Sequence, residues 1–225
     1  MKVTWLGSSA LLFENENIKI LADPLFWDIE GKVRRYPSDK SYLELSPDVI
    51  ILSGTDKERL DMSAVSSYIR ERGDITVLAS EGAYMRVSEM CPDANVVLLS
   101  PHSVWSEGGV TFYSVGCAGA DRTAIGVIVD DGEMTYYLSG ATLYNYDVLD
   151  DVLDLAPDGV DYAFLPISGR GSVMNAKDAA DFAYEISAKR AVPVSYGLYD
   201  DVSASDFDFE DAVVLEPYCE YELDK

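Results

Sequence analysis

The chain has 225 residues, 48% of them hydrophobic and 25% charged, which excludes a disordered chain and allows a sizeable core without disulfide support. Its 17 Lys and Arg against 40 Asp and Glu give a formal net charge of −23, which excludes nucleic acid and anionic membrane surfaces as partners. The single histidine, His102, excludes any mechanism that needs two imidazole groups from one chain.

Short β-rich runs dominate the chain. Strands are predicted at residues 3–6, 10–13, 18–22, 49–52, 75–79, 96–99, 110–115, 123–129, 134–138, 162–165, 191–194 and 212–215. The polar stretch at 14–17 and the Asp-Asp-Gly-Glu turn at 130–133 each join two neighbouring runs, and both predict hairpins.

Helices are predicted between these strands, at residues 60–72, 81–90, 147–155 and 175–190. The last has the clearest pattern, because apolar residues recur at helical spacing behind Asn175, a typical N-cap, with Asp178 three residues on. No linker divides the chain, so we expect a single domain over residues 1–225. Hairpins mixed with single helices favour an α+β class, with two sheets packed face to face and the helices outside.

The cysteines are Cys91, Cys117 and Cys219, an odd number without a C-x-x-C pair. The odd number and the spacing of the cysteines predict reduced thiols and a cytoplasmic protein. The N-terminus lacks the pattern of a signal peptide, and no apolar run approaches the ~20 residues of a membrane span, so we expect no membrane association.

Three segments carry a family resemblance. They are residues 1–10 around Gly7, residues 20–24 ending in Asp23-Pro24, and residues 165–180. Together they resemble the metallo-β-lactamase-fold superfamily, and within it the branch of L-ascorbate-6-phosphate lactonases and related predicted metal-dependent hydrolases. The resemblance extends to about residue 197. It implies a four-layer αβ/βα sandwich with an active site at one edge between the sheets, where one or two zinc or manganese ions activate a water molecule.

The ligand positions that the resemblance implies carry other residues here. In active members a His-x-His-x-Asp-His loop, two further histidines and a bridging aspartate hold the metal. The corresponding positions are Gly54, Asp56, Glu58, Arg59, Cys117, Ala141 and Ser195. Scaffold residues do match, and we predict structural roles for Asp23, Gly140 and Thr142. His102 lies outside every ligand position, so we expect no cofactor and no zinc-dependent hydrolysis.

Four residues are candidates for ligand binding. Arg170 lies between two glycines, is followed by Ser172, and precedes a predicted helix N-terminus, a combination that can present a guanidinium and backbone N–H groups to a small anion. Arg59 and Tyr196 complete the set.

Two functional hypotheses follow. The first is a degenerate, non-catalytic member of the fold that binds a small anionic ligand or a protein partner, with a homo-oligomer left open. The alternative is a hydrolase of a lactone, ester or phosphodiester. It would use Cys117 as nucleophile, or a metal held by oxygen ligands drawn from Asp23, Asp56, Glu58 and Asp61.

The acidic C-terminal region allows a third hypothesis. Residues 200–225 hold ten acidic side chains against Lys225 alone, together with several aromatic residues. Such a segment can dock a basic partner, and a final strand of the fold explains the aromatic residues equally well.

Overall fold

The computed structural model describes residues 1–26, 42–57, 59–171, 173–197 and 202–225. Two candidate site residues, Glu58 and Ser172, lie outside these described residues. The chain divides into two compact units. The first unit comprises Met1–Leu98 and Leu215–Asp224, and the second comprises Leu99–Val214 with Lys225. The single domain over residues 1–225 stays a prediction.

Within the described ranges the chain forms thirteen strands and four α-helices. The strands are β1 (Lys2–Trp5), β2 (Leu11–Glu14), β3 (Lys19–Ala22), β4 (Val49–Leu52), β5 (Thr76–Ala79), β6 (Asn95–Leu98), β7 (Val104–Glu107), β8 (Val110–Gly116), β9 (Ile125–Asp130), β10 (Thr135–Leu138), β11 (Tyr162–Pro166), β12 (Arg190–Val194) and β13 (Glu220–Glu222). The helices are α1 (Met62–Glu71), α2 (Glu81–Met90), α3 (Tyr146–Leu155) and α4 (Ala176–Glu185). No helix in these ranges has the length and apolar character needed to span a membrane.

The first unit is built on a mixed sheet of seven strands in the order β13-β1-β2-β3-β4-β5-β6. Strands β1, β2 and β3 pair antiparallel, and the predicted hairpin between β2 and β3 is confirmed. From β3 to β6 the pairing is parallel, and α1 and α2 are the crossover connections from β4 to β5 and from β5 to β6. All four residues of β4 and of β5 are buried, as their near-continuous apolar sequences predict.

The second unit is built on a mixed sheet of six strands in the order β12-β11-β10-β9-β8-β7. The predicted hairpin between β9 and β10 is confirmed, and Gly132 in its turn has a φ of 83°. Parallel pairing from β10 to β12 is connected through α3 and α4. The predicted N-cap of α4 is also confirmed, because Asn175 Oδ1 accepts a hydrogen bond of 2.9 Å from Asp178 N. Two mixed sheets with four helices confirm the predicted α+β class.

Some predicted boundaries were wrong. Helix α4 ends at Glu185 rather than at residue 190, because Ser187 turns to a φ of 53° and the N–H of Ala188 bonds back to Ala183 O. The strand predicted at 212–215 is absent, since Ala212 makes only an isolated bridge to Ala191. Strands β7 and β13 were not predicted.

Strand β13 is the edge strand of the first unit. It pairs antiparallel with β1, and Lys2 Nζ lies 2.7 Å from Glu220 Oε1. Leu223 is 3% exposed and its N–H donates to Met1 O, whereas Tyr221 is 41% exposed. The end of the acidic C-terminal region is therefore part of the sheet.

We expect Leu223→Ala to lower the free energy of unfolding by about 2–4 kcal/mol, because it removes a buried side chain where the C-terminal segment packs. Tyr221→Ala is the matched control and should cost less than about 1 kcal/mol, since its side chain is largely in water. Urea denaturation of both variants measures the difference. Equal costs would show that the C-terminal segment does not stabilise the first unit.

Candidate functional site

One edge of the first unit's sheet has a group of buried polar side chains. The strand register brings the start of β2 beside the end of β3 (Leu11 opposite Ala22), and the ends of β4 and β5 beside each other (Leu52 opposite Ala79). The buried polar residues next to these strand ends, here called the polar edge, are Ser8, Ser9, Asp23, Ser53, Arg59, Asp61 and Ser80. Each is between 0% and 6% exposed. The carboxyl ends of parallel strands are where open α/β sheets bind their ligands.

Asp23 and Arg59 form a buried ion pair at the polar edge. Arg59 Nη1 lies 3.5 Å from Asp23 Oδ2, and both side chains are less than 9% exposed. Ser53 also contacts the carboxylate, with its backbone N donating to Oδ1 at 2.8 Å and its hydroxyl to Oδ2 at 2.6 Å. The structure thus brings together two residues predicted for different roles, Asp23 as structural and Arg59 as a ligand-binding residue.

The pKa of Asp23 is raised above its ordinary value of 3.8, because burial disfavours the charged carboxylate. Arg59 and the two hydrogen bonds from Ser53 act in the opposite direction and offset only part of this effect. The cost of removing the Asp23 carboxylate from water is therefore only partly offset by its contacts.

The charged loop after β4 is only partly exposed. Asp56 and Lys57 are exposed, whereas Gly54 and Arg59 are buried. The carbonyl of Asp56 accepts hydrogen bonds from the backbone N–H groups of Arg59 and Leu60, both at 2.9 Å. Asp61, an oxygen ligand in the alternative hypothesis, caps α1 by accepting from Ala64 N at 3.0 Å.

In the second unit, Cys117 lies against the loop that follows β10. Its Sγ donates to Ser139 O at 3.3 Å. Gly140 has a φ of 64°, and a Cβ there would lie 2.3 Å from Ile125 O, so only glycine fits. Thr142 Oγ1 accepts from Ala118 N at 3.0 Å, which ties the two loops together. Cys117, Gly140 and Thr142 are thus neighbours, and Ala141 between them is 8% exposed.

The remaining candidates of the second unit lie at other loops. Ser195 follows β12 with a φ of 58°. Burial raises the pKa of Tyr196. Arg170 is exposed, and its two flanking glycines have φ values of 63° and 64°. The lone histidine has an exposed side chain whose Nε2 lies 3.7 Å from Asp151 Oδ1.

No group of three or more His, Cys, Asp or Glu side chains in the described part of the chain is arranged to hold a metal ion. The sequence-based selection missed Ser9 and Ser80, whose hydroxyls are buried without a hydrogen-bond partner. A signal for Ser80 was available, since a serine between an apolar strand and a helix marks a helix start.

The chain belongs to the beta-lactamase superfamily domain family, whose model matches residues 2–195. A UPF0173 metal-dependent hydrolase of Carboxydothermus hydrogenoformans is 28% identical over 94% of this chain and 91% of its own. Among solved structures, Igni18, a metallo hydrolase from the archaeon Ignicoccus hospitalis, matches with a TM-score of 0.79 at 16% identity over 99% of both chains. The metallo-β-lactamase fold protein YhfI from Bacillus subtilis matches with a TM-score of 0.72 at 15% identity, over 98% of this chain and 99% of its own. The predicted superfamily and its fold are confirmed.

We expect Asp23→Ala to lower the free energy of unfolding by about 3–5 kcal/mol, because it leaves the Arg59 guanidinium buried without its carboxylate. Asp56→Ala, in the same region but exposed, is the control and should cost no more than about 0.5 kcal/mol. The double variant Asp23→Ala/Arg59→Met should recover part of the loss. If urea denaturation gives Asp23→Ala and Asp56→Ala the same cost, the ion pair does not stabilise the fold.

The raised pKa of Asp23 also predicts the sign of a pH dependence. The folded protein binds this proton more tightly than the unfolded chain, so the contribution of Asp23 to stability falls as pH rises from 3.8 towards the raised pKa, and is constant above it. The quantity to measure is the free energy of unfolding of the natural chain minus that of Asp23→Asn, by urea denaturation between about pH 4 and pH 7. A difference that increases with pH would contradict the assignment.

Proposed function

We propose that this chain is a family member in which other side chains have replaced the metal ligands, and that it no longer catalyses metal-dependent hydrolysis. On this proposal it acts by binding a small anionic ligand or a protein partner. The reducing cytoplasm is the proposed location, consistent with three cysteines that are all free thiols.

The observation that carries the proposal is the buried guanidinium of Arg59. The resemblance implies an imidazole ligand at this position, and an imidazole donates a lone pair to the metal. A guanidinium has no lone pair to donate and remains cationic at any pH that the fold survives. Because Arg59 is 6% exposed and paired with Asp23, its charge stays inside the protein rather than turning out into water.

Three of the other ligand positions do not fit a metal ion either. Gly54 and Ala141 offer no side-chain donor, and both are buried. Asp56 is exposed, and Asp61 uses its carboxylate to cap α1. A divalent cation near Arg59 would also meet a fixed like charge in a region of low dielectric constant. We therefore derive no catalytic step through a metal.

The backbone near these positions is held in strained conformations, which supports a binding role over a purely vestigial chain. Ser8, Asp23 and Ser195 all have positive φ values, of 50°, 44° and 58°. Such conformations cost non-glycine residues of the order of 1–3 kcal/mol each and persist where the surrounding structure imposes them, frequently at sites of binding or catalysis.

The test is the metal content of protein purified without chelators, followed by a screen for hydrolysis of lactone, ester, thioester and phosphodiester substrates. We expect less than about 0.1 equivalent of zinc or manganese and no turnover above the rate without protein, because the ligand positions carry no imidazole. Addition of a chelator should leave the melting temperature unchanged.

The alternative hydrolase makes the opposite predictions. Stoichiometric metal with turnover abolished by Asp56→Ala would replace the proposal with an oxygen-ligated metal site. Metal-independent turnover lost in Cys117→Ser and kept in Cys219→Ser, the exposed thiol control, would replace it with a thiol nucleophile.

A further inference from the structure

Helix α2 begins at the polar edge, directly after β5, with Ser80 as its N-cap residue. An α-helix leaves its first N–H groups without intrahelical partners, and the N-cap side chain normally accepts from one of them. Asp61, Asn145 and Asn175 accept such bonds at α1, α3 and α4. Ser80 makes no such bond.

The hydroxyl of Ser80 is also buried. Ser80 is 0% exposed, and its Oγ has no hydrogen-bond partner. Its backbone N donates to Leu52 O and its carbonyl accepts from Tyr84 N, so the main chain of this residue is satisfied while the side chain is not. A buried hydroxyl without a partner is costly and indicates a missing partner atom.

Three donors at the start of α2 have no acceptor within the helix. They are the Ser80 hydroxyl and the first-turn N–H groups of Gly82 and Ala83, which the helix itself does not use. Gly82 carries no side chain to cover them. An oxygen atom that accepts from several donors at a helix N-terminus belongs most favourably to an anion, because the helix dipole is positive there.

A cation lies on the same part of the unit. Arg86, one and a half turns along α2, donates from Nη1 to Thr55 O at 3.2 Å, in the loop after the neighbouring strand β4. Glu81 in the first turn is the opposing charge, and its side chain is exposed.

We propose that the N-terminus of α2 binds a small oxyanion, a phosphate or carboxylate group, through the Ser80 hydroxyl and the N–H groups of Gly82 and Ala83, with Arg86 supplying charge. This inference rests on the proposed binding role and assigns it a ligand class and a place. It uses none of the metal-ligand positions that the resemblance implies.

The experiment is a titration of the full chain with inorganic phosphate, monitored by the NMR chemical shifts of the ¹⁵N–¹H groups of Gly82 and Ala83. Chloride holds the ionic strength constant. We expect saturable shifts of both signals. A parallel titration with acetate distinguishes a phosphate from a carboxylate preference by the ratio of the two dissociation constants.

Variants at the site have matched controls elsewhere in the same unit. Ser80→Ala should weaken phosphate binding about tenfold, the effect expected when one hydrogen bond to an anion is lost. Ser66→Ala is its control, a buried serine whose hydroxyl donates to Ser63 O. Arg86→Gln should weaken binding and Glu81→Gln should strengthen it, each by a few-fold, whereas Arg70→Gln should change nothing.

Folding does not confound the test, because the Ser80 hydroxyl has no partner within the protein and Ser80→Ala should leave the melting temperature within about 2 °C. Should that variant fail to fold, the opposite effects of Arg86→Gln and Glu81→Gln still test whether phosphate binds at the start of α2. The proposal is overturned if chloride reproduces the shifts, if no saturable shift occurs, or if folded Ser80→Ala binds phosphate like the natural chain. Hydrolytic turnover together with intact phosphate binding would refute the proposed function but not this site. Absence of both turnover and phosphate binding would refute this site but not the proposed function.

Discussion

The ion pair between Asp23 and Arg59 is the interaction on which the polar edge depends. A guanidinium cannot lose its proton inside a protein, so once Arg59 is buried a carboxylate must remain beside it. Asp23 meets this need from the end of β3 with a φ of 44°. Ser53, at the end of β4, fixes the carboxylate with two hydrogen bonds. The ion pair and the hydrogen bonds from Ser53 thus fix the ends of β3 and β4 and the turn before α1 relative to one another.

On the proposed function, the same requirement separates the fold of this chain from the chemistry that its relatives' names describe. Sheet order, crossover helices and glycine-dependent loops such as that at Gly140 depend on burial and backbone geometry, and none of them needs a metal. A metal site depends on a few side chains with lone pairs at fixed positions. Fold and site therefore change independently, and membership of the family defines the scaffold while the side chains define the function.

The sequence was a good guide where the deciding interactions are local. Buried strands such as β4 and β5 are continuous apolar runs, and the N-cap of α4 bonds to a residue three positions away. Strand β13 could not be recognised, because Glu220, Tyr221 and Glu222 are all exposed and its place depends on pairing with β1, more than two hundred residues earlier. The burial of Arg59 could not be predicted for a related reason. It lies in a run of alternating charges that is typical of solvated turns, and its partner is 36 residues earlier.

The ion pair also determines what the rest of the polar edge can attract. An unpaired carboxylate at the end of β3 would set a negative potential across neighbouring strand ends and oppose an anion at α2. Because Asp23 is paired with Arg59 and accepts two hydrogen bonds from Ser53, its negative charge is partly offset, and an oxyanion near Ser80 would meet the positive end of the α2 dipole. Arg86 adds to that field from an exposed position, where it is not neutralised by a buried carboxylate. On the proposed function, the Arg59 side chain that is incompatible with a metal ion is therefore compatible with the oxyanion proposed at the neighbouring helix, in a chain of net charge −23.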